Sequence, residues 1–102
     1  SIHPYDEKVI NKIEDKNPKT ILEQIKKTLI EDDDIDSVKE QIISWSKKNE
    51  VSMGLLMQSF RLALVGRLTG PDIFEVCSVL GKKVSLERIN DLIEHLNFKQ
   101  IL

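Results

Sequence analysis

Residues 52–75 of the chain, SMGLLMQSFRLALVGRLTGPDIFE, decide the fold because they begin with a helix that is apolar on almost every side. Such a helix is typically a central, buried one. The exception is a narrow polar strip where Gln58 and Arg61, three residues apart, lie side by side. A buried arginine needs a partner or access to solvent, since an unpaired buried charge is costly. We therefore expect the Arg61 strip and the Gly70-Pro71 turn to form the binding site.

The composition predicts a single all-α domain. The chain has 102 residues, of which 40% are hydrophobic and 31% are charged, an ordinary balance for a globular domain. It has only five aromatic residues and three prolines, and it is rich in residues that are compatible with helices. The expected architecture is a compact bundle of five to six short helices.

The expected compartment is the cytoplasm. The single cysteine, Cys77, cannot form an internal disulfide, which favours a reducing environment. No apolar run approaches the roughly 20 residues that cross a bilayer, and no basic-then-apolar leader opens the chain. We therefore expect no membrane partner.

The charge distribution differs between the two halves of the chain. Residues 1–46 carry seven lysines and eleven acids, a balance of −4, while residues 47–102 carry eight bases and six acids, a balance of +2. A protein that coats a nucleic-acid duplex is normally more basic, so DNA is not an expected partner. A local basic face in the second half would dock one limited region.

Capping signals divide the chain into successive helices. Asparagine, aspartate and serine are expected caps, proline an expected first residue and glycine an expected terminator. The expected starts are Pro4, Asn17-Pro18, Asp34 or Asp36, Ser52, Pro71 and Ser85, and the expected ends are Glu31, Lys48, Gly66 and Gly81. We expect residues 17–50 and 51–102 to be two halves of one domain.

The side chains that could carry chemistry are isolated. The acidic run at residues 31–34 lacks the glycine and the closing glutamate of a calcium loop, so a solvated loop is expected. Cys77 is expected to be a small buried hydrophobe, Trp45 part of the core, and His3 and His95 idle. No nucleotide-binding glycine motif or metal-ligand spacing occurs. We expect no catalysis, metal or cofactor in this chain itself.

Three motifs together resemble the C-terminal anticodon-binding domain of bacterial-type glutamyl-tRNA synthetases. They are MGLLMQSFRLALVG at residues 53–66, GPDIFE at residues 70–75 and LGK at residues 80–82, followed by Arg88. The lead-in at residues 1–16 resembles the linker from the family's upstream domain, which leaves residues 17–102 as the helical anticodon-binding domain. The sequence departs from the family pattern at Val65, where threonine is common, and at Lys83, where glutamate is usual.

The resemblance implies that the domain grips the anticodon loop of the tRNA for glutamate. The positions that match the family's base-holding residues are Arg61, Gly70, Pro71 and Ile73. It also implies a parent that is a class I glutamate–tRNA ligase, with ATP and Mg²⁺ bound in a catalytic domain whose signatures are absent from this chain. The expected partners are this tRNA and the parent's upstream domains, and the expected state is a monomer.

Elementary chemistry agrees with these roles. Unpaired RNA bases are recognised at their exposed edges by arginine and backbone groups and are packed against apolar side chains. Arg61 would supply a planar set of donors, and Ile73 an apolar edge. A helix N-terminus at Gly70-Pro71 would supply free backbone donors. Arg67, Lys82 and Lys83 are candidates for contacts with the RNA backbone.

A second hypothesis of a different class is a helical protein-interaction module that uses Arg61 to bind an acidic partner. An arginine on a core helix also commonly forms a structural ion pair, for which Glu75 is a candidate partner. From the residues alone the alternatives stay open, and the combined motifs favour the anticodon-binding domain.

Overall fold

The computed structural model describes residues 5–101, with side chains described for residues 5–99. The expected helix start at Pro4, and His3, lie outside these residues. Within the described range the fold is all-α, as predicted, with five α-helices and one turn of 3₁₀-helix at Glu14–Lys16. The helices are α1 (Glu7–Ile13), α2 (Pro18–Glu31), α3 (Ile35–Lys48), α4 (Met53–Val65) and α5 (Ile73–Ile101).

The starts of α3 and α4 follow the predicted caps. Asp34 is the cap of α3, where its carboxylate accepts a hydrogen bond from the backbone N–H of Asp36 at 3.3 Å. Ser52 caps α4 by accepting from the N–H of Leu55 at 3.1 Å. Each cap satisfies one of the backbone donors that a helix leaves unpaired at its first turn.

The other end of α4 is set by Gly66. This residue adopts the left-handed conformation, with φ 73° and ψ 16°, and its N–H donates to the Leu62 carbonyl at 3.0 Å. Residues other than glycine are strained at such a φ, and a Cβ here would meet no neighbouring atom. Backbone conformation, and not crowding, therefore explains the glycine.

The central position predicted for α4 is confirmed. It packs against α2, α3 and α5, and six of its thirteen residues are buried. Phe60 is fully buried and meets the ring of Phe74 edge-on, with centroids 5.5 Å apart. Cys77 is 2% exposed, as predicted, whereas Trp45, expected in the core, is only partly buried and packs against its edge. The core therefore extends from α2 through α4 into α5.

Helix α5 departs from the two expected helix starts at Pro71 and Ser85. It begins at Ile73, capped by Asp72, and not at Pro71, because the Asp72 carboxylate accepts from the Phe74 N–H at 3.0 Å. Gly81 interrupts the helix, with non-helical φ 85° and ψ 163°, which confirms a break there. Ser85 is not a cap, since its buried hydroxyl instead contacts Cys77 across the kink, with Oγ to Sγ 3.4 Å.

The lead-in helix α1 packs onto the end of α5. Ile10 and Ile13 are buried in the shared core. The Lys99 ammonium contacts Glu7 at 2.6 Å and Glu14 at 2.8 Å, and the hydrogen bond from Lys99 lowers the pKa of the Glu7 carboxyl. His95, expected to be exposed and idle, is partly buried, and its Nε2 lies 3.6 Å from the Glu7 carboxylate without a hydrogen bond to a described residue. Packing and charge together hold the first described helix against the last.

Replacing Phe60 with alanine is expected to lower the free energy of unfolding by about 3–5 kcal/mol, because it leaves a cavity in a fully buried site. Urea denaturation would measure this. Phe98→Ala is the matched control, since Phe98 is 59% exposed and its removal should change stability by less than about 0.5 kcal/mol. Similar losses for the two variants would contradict the central position of α4.

Candidate nucleic-acid interface

Arg61 keeps an uncompensated charge on the central helix. Its side chain is partly buried, and its Nε atom is fully buried without a hydrogen-bond partner. Among the described residues no carboxylate forms an ion pair with it, and this includes Glu75. A partly desolvated guanidinium without a counter-ion favours an external acceptor. The structural ion pair that the sequence left open is therefore absent between these residues.

The turn after α4 offers backbone donors. In the described part of the chain, the N–H groups of residues 67–70 donate to no protein acceptor. Gly70 and Pro71 are both exposed. Backbone donors are strong hydrogen-bonding groups that need a partner or water. This turn can therefore bind acceptor atoms of a ligand directly.

The start of α5 is less open than expected. The Asp72 carboxylate accepts a hydrogen bond from the Phe74 N–H and lies 3.9 Å from the Lys39 ammonium. Glu75 places a second acid in the first turn. Acids at this position offset the positive end of the helix dipole. Asp72 therefore satisfies one donor at the start of α5, while the N–H groups of Ile73 and Glu75 have no acceptor among the described residues. The base contacts expected at Gly70 and Pro71 stay a prediction.

Ile73 is buried and not at the surface. It is 1% exposed and belongs to the hydrophobic core, as does Phe74 at 3%. In this conformation the Ile73 side chain offers no apolar edge at the surface, and the base contact expected of it stays a prediction. Ile73 instead anchors the start of α5 in the core.

An apolar groove that sequence reasoning missed lies beside the turn. It has a volume of about 270 Å³ and is lined by Pro71, Asp72, Glu75, Val76, Val79 and Leu80. Val79 is 88% exposed and is the most exposed of the large apolar residues that the structure describes. The sequence did contain one indication of this groove, since Val79 does not fit the apolar stripe by which α5 packs on the core. The groove supplies the apolar surface that Ile73 does not.

The three candidates for RNA-backbone contact differ in their surroundings. Arg67 and Lys83 are exposed and make no ion pair with a described residue. Lys82 is already paired with Asp33 in the loop between α2 and α3. That loop is structured, because the Asp32 carboxylate accepts hydrogen bonds from Gln41 and Ser37. The bond from Ser37 is the main cause of the lowered pKa of the Asp32 carboxyl. Arg67 and Lys83 are therefore the freer cations.

Other kinds of site lack support in the described residues. Burial raises the pKa of the Cys77 thiol, which disfavours the reactive thiolate. No group of three histidine, cysteine, aspartate or glutamate side chains between residues 5 and 99 is placed to hold a metal ion. No helix within the described range is long and apolar enough to cross a bilayer. The distinctive features are therefore Arg61, the turn and the groove.

Comparison with known proteins identifies the family of this chain. The profile of the family described as "Anticodon binding domain" matches residues 2–93, which is most of the chain. The chain therefore belongs to the anticodon-binding domain family, and the resemblance inferred from its sequence is confirmed.

The curated relatives within this comparison are glutamate–tRNA ligases. The ligase of Flavobacterium johnsoniae is 37% identical over 93 residues, and that of Bacteroides fragilis is 32% identical over 94 residues. Each alignment covers 90% of this chain but only 19% of the relative, so the chain spans about one fifth of these proteins. No solved structure matches the chain significantly.

Replacing Asp72 with alanine is expected to lower the free energy of unfolding by about 1 kcal/mol, because the Phe74 N–H loses its cap. Asp72→Asn should retain most of the stability, since asparagine caps equally well and the exposed pair with Lys39 contributes little. Thermal unfolding of the two variants would measure the difference. Equal losses would show that the charge of Asp72, and not its cap, stabilises the start of α5.

Proposed function

We propose that this chain is the anticodon-binding part of a glutamate–tRNA ligase and that it recognises the anticodon loop of the tRNA for glutamate. The observation that carries the proposal is the family match over residues 2–93, which includes Arg61 and the turn at Gly70-Pro71. The resemblance assigns base contacts to these positions, and the geometry leaves Arg61 and the turn with unsatisfied donors. The family match does not favour the alternative of an Arg61-centred protein-interaction module.

Recognition would combine three kinds of contact. Arg61 donates hydrogen bonds to acceptor atoms on the edge of an unpaired base, and the N–H groups of the turn donate to further acceptors. The groove beside Pro71 and Val79 offers an apolar surface for a base that leaves the stack. Each contact suits an unpaired loop better than a duplex, because the Watson–Crick edges of the bases in a duplex are already paired.

The RNA backbone would be held mainly by Arg67 and Lys83. Both cations are free of intramolecular ion pairs in the described part, whereas Lys82 must first leave Asp33. Phosphate contacts increase affinity without reading the sequence. This division separates the residues that set affinity from those that set base preference.

The remaining features concern the parent protein. We propose that the parent is a monomeric cytoplasmic class I ligase, whose absent catalytic domain binds ATP and Mg²⁺ and attaches glutamate to this tRNA. This chain contributes binding and not catalysis, and neither DNA nor a membrane is a partner. Residues 1–16 are proposed as the lead-in from the upstream domain and residues 17–102 as the anticodon-binding domain, with halves at 17–50 and 51–102.

Replacing Arg61 with alanine is expected to weaken binding of an RNA hairpin with the cognate anticodon loop by about 1–3 kcal/mol, the scale of a single contact with a base. The helix content should stay the same, because Arg61 has no described ion pair to lose. Titration calorimetry and circular dichroism would measure the two quantities. Lys12→Ala, on the exposed side of α1, is the control for a general charge effect. Unfolding of the Arg61 variant, with binding that follows stability, would contradict this role.

Replacing Arg67 and Lys83 together with glutamine is expected to make binding less salt-dependent. The slope of log K against log salt should fall by about 0.7 for each phosphate of a single strand that the protein no longer neutralises. The preference for the cognate anticodon should not change, because phosphate contacts carry no sequence information. Lys82→Gln should have a smaller effect, since Asp33 already holds Lys82. An unchanged slope in the double variant would remove Arg67 and Lys83 from the interface.

A further inference from the structure

Arg88 holds the end of the helix that carries Arg61. Its Nη1 donates a hydrogen bond of 2.6 Å to the backbone carbonyl of Leu64, 24 residues earlier in the chain. Leu64 lies in the last turn of α4, where carbonyls have no partner within the helix. A charged donor at this end is also favoured by the helix dipole. The contact therefore links α5 to the C-terminal end of α4.

Among the described residues, the Leu64 carbonyl is the only hydrogen-bond partner of the Arg88 side chain. No described carboxylate forms an ion pair with Arg88, and its buried Nε has no partner. Hydrogen bonds with one charged member are shorter and stronger than neutral ones. The bond to Leu64 is therefore the main polar constraint on this arginine and on the last turn of α4.

Among the described residues, the turn that follows α4 is hydrogen-bonded only at its two ends, and within it Leu68 packs against the core. No backbone–backbone hydrogen bond within the described part involves residues 67–71. One end follows Gly66, directly after the residues held by Arg88, and the other precedes Asp72 and the buried Ile73. The orientation of its free backbone donors therefore depends on the Leu68 contact and on what holds its two ends.

Arg61 lies one helical turn before Leu64 on α4. Fraying or rotation of the last turn of α4 would shift the donors of residues 67–70 relative to the Arg61 guanidinium. Recognition of a base by both groups requires that their separation stays constant, because misplaced donors lose most of their hydrogen-bond energy. The Arg88 contact opposes such a shift.

We propose that Arg88 is a positioning residue for anticodon recognition: by binding the Leu64 carbonyl, it sets the placement of the 67–71 turn relative to Arg61. This inference rests on the proposed function, because it concerns the same interface. It assigns to Arg88 a role in base preference that acts through α4 and requires no contact with the RNA.

The test compares two RNA hairpins, one with the cognate anticodon and one with its three anticodon bases replaced. The wild-type chain, Arg88→Gln and Arg88→Lys are titrated with both hairpins over a range of salt, and their thermal midpoints are measured. In Arg88→Gln the ratio of the two affinities should fall by about tenfold, the scale of one disrupted base contact. The salt slope should not change, because the same phosphates stay bound. Arg88→Lys should restore part of the ratio, since an ammonium can still donate to the carbonyl.

A double variant tests whether the effect passes through Arg61. If Arg88 positions the turn for joint recognition, Arg88→Gln should change the affinity ratio much less in an Arg61→Ala chain than in the wild type, a non-additivity that coupled residues show. Additive effects would overturn the inference. Should Arg88→Gln fail to fold, Arg88→Lys carries the same comparison, with its ratio expected to lie below that of the wild type.

Three further outcomes would also overturn the inference. An unchanged affinity ratio with a lower thermal midpoint would make Arg88 purely structural. An equal loss of affinity for both hairpins, with a slope of log K against log salt that is smaller by about 0.7, would make Arg88 a phosphate-binding residue. A wild-type chain that does not distinguish the hairpins would overturn the proposed function itself, and that result is separate because it requires no Arg88 variant.

Discussion

The burial of α4 is the constraint on which the rest of the structure depends. A helix that is apolar on nearly every side is stable in water only when other helices surround it. Helices α2, α3 and α5 provide that enclosure, and Phe60, Leu56 and Leu64 are fully buried within it. The enclosure also limits the solvent and the partners available to Arg61, the one charged residue of α4. Fold and candidate interface therefore follow from the same helix.

Contacts made by charged side chains join distant parts of the chain around this core. Lys82 pairs with Asp33, Lys99 with Glu7 and Glu14, and the Arg88 guanidinium binds the Leu64 carbonyl. Exposed ion pairs each contribute little to stability, so packing supplies most of the free energy of folding. The bond to Leu64 differs because it is partly buried and binds a carbonyl without a partner in its own helix.

The interface differs from its prediction where neighbouring helices intervene. Local sequence correctly places a glycine-ended helix before the turn, and the spacing of Asp72 and Glu75 is a capping signal that the expected start at Pro71 missed. Local sequence cannot, however, show that Ile73 is enclosed. Burial depends on which elements pack nearby, and a short segment does not specify them. The apolar groove around Val79 has the same origin, since its walls come from the packed arrangement of the turn and α5. Spacing along the chain does not contain this information.

The sequence by itself determined the helical class, the central helix, its glycine end and the family motifs, because apolar periodicity, capping and local motifs are properties of short segments. Only the tertiary structure decided that Lys82 is paired, that Ile73 is enclosed and that Arg88 binds the end of α4. These features join residues 24 to 49 positions apart or depend on packing from several helices. Contacts of that separation arise from how the helices pack against one another, which no local pattern encodes.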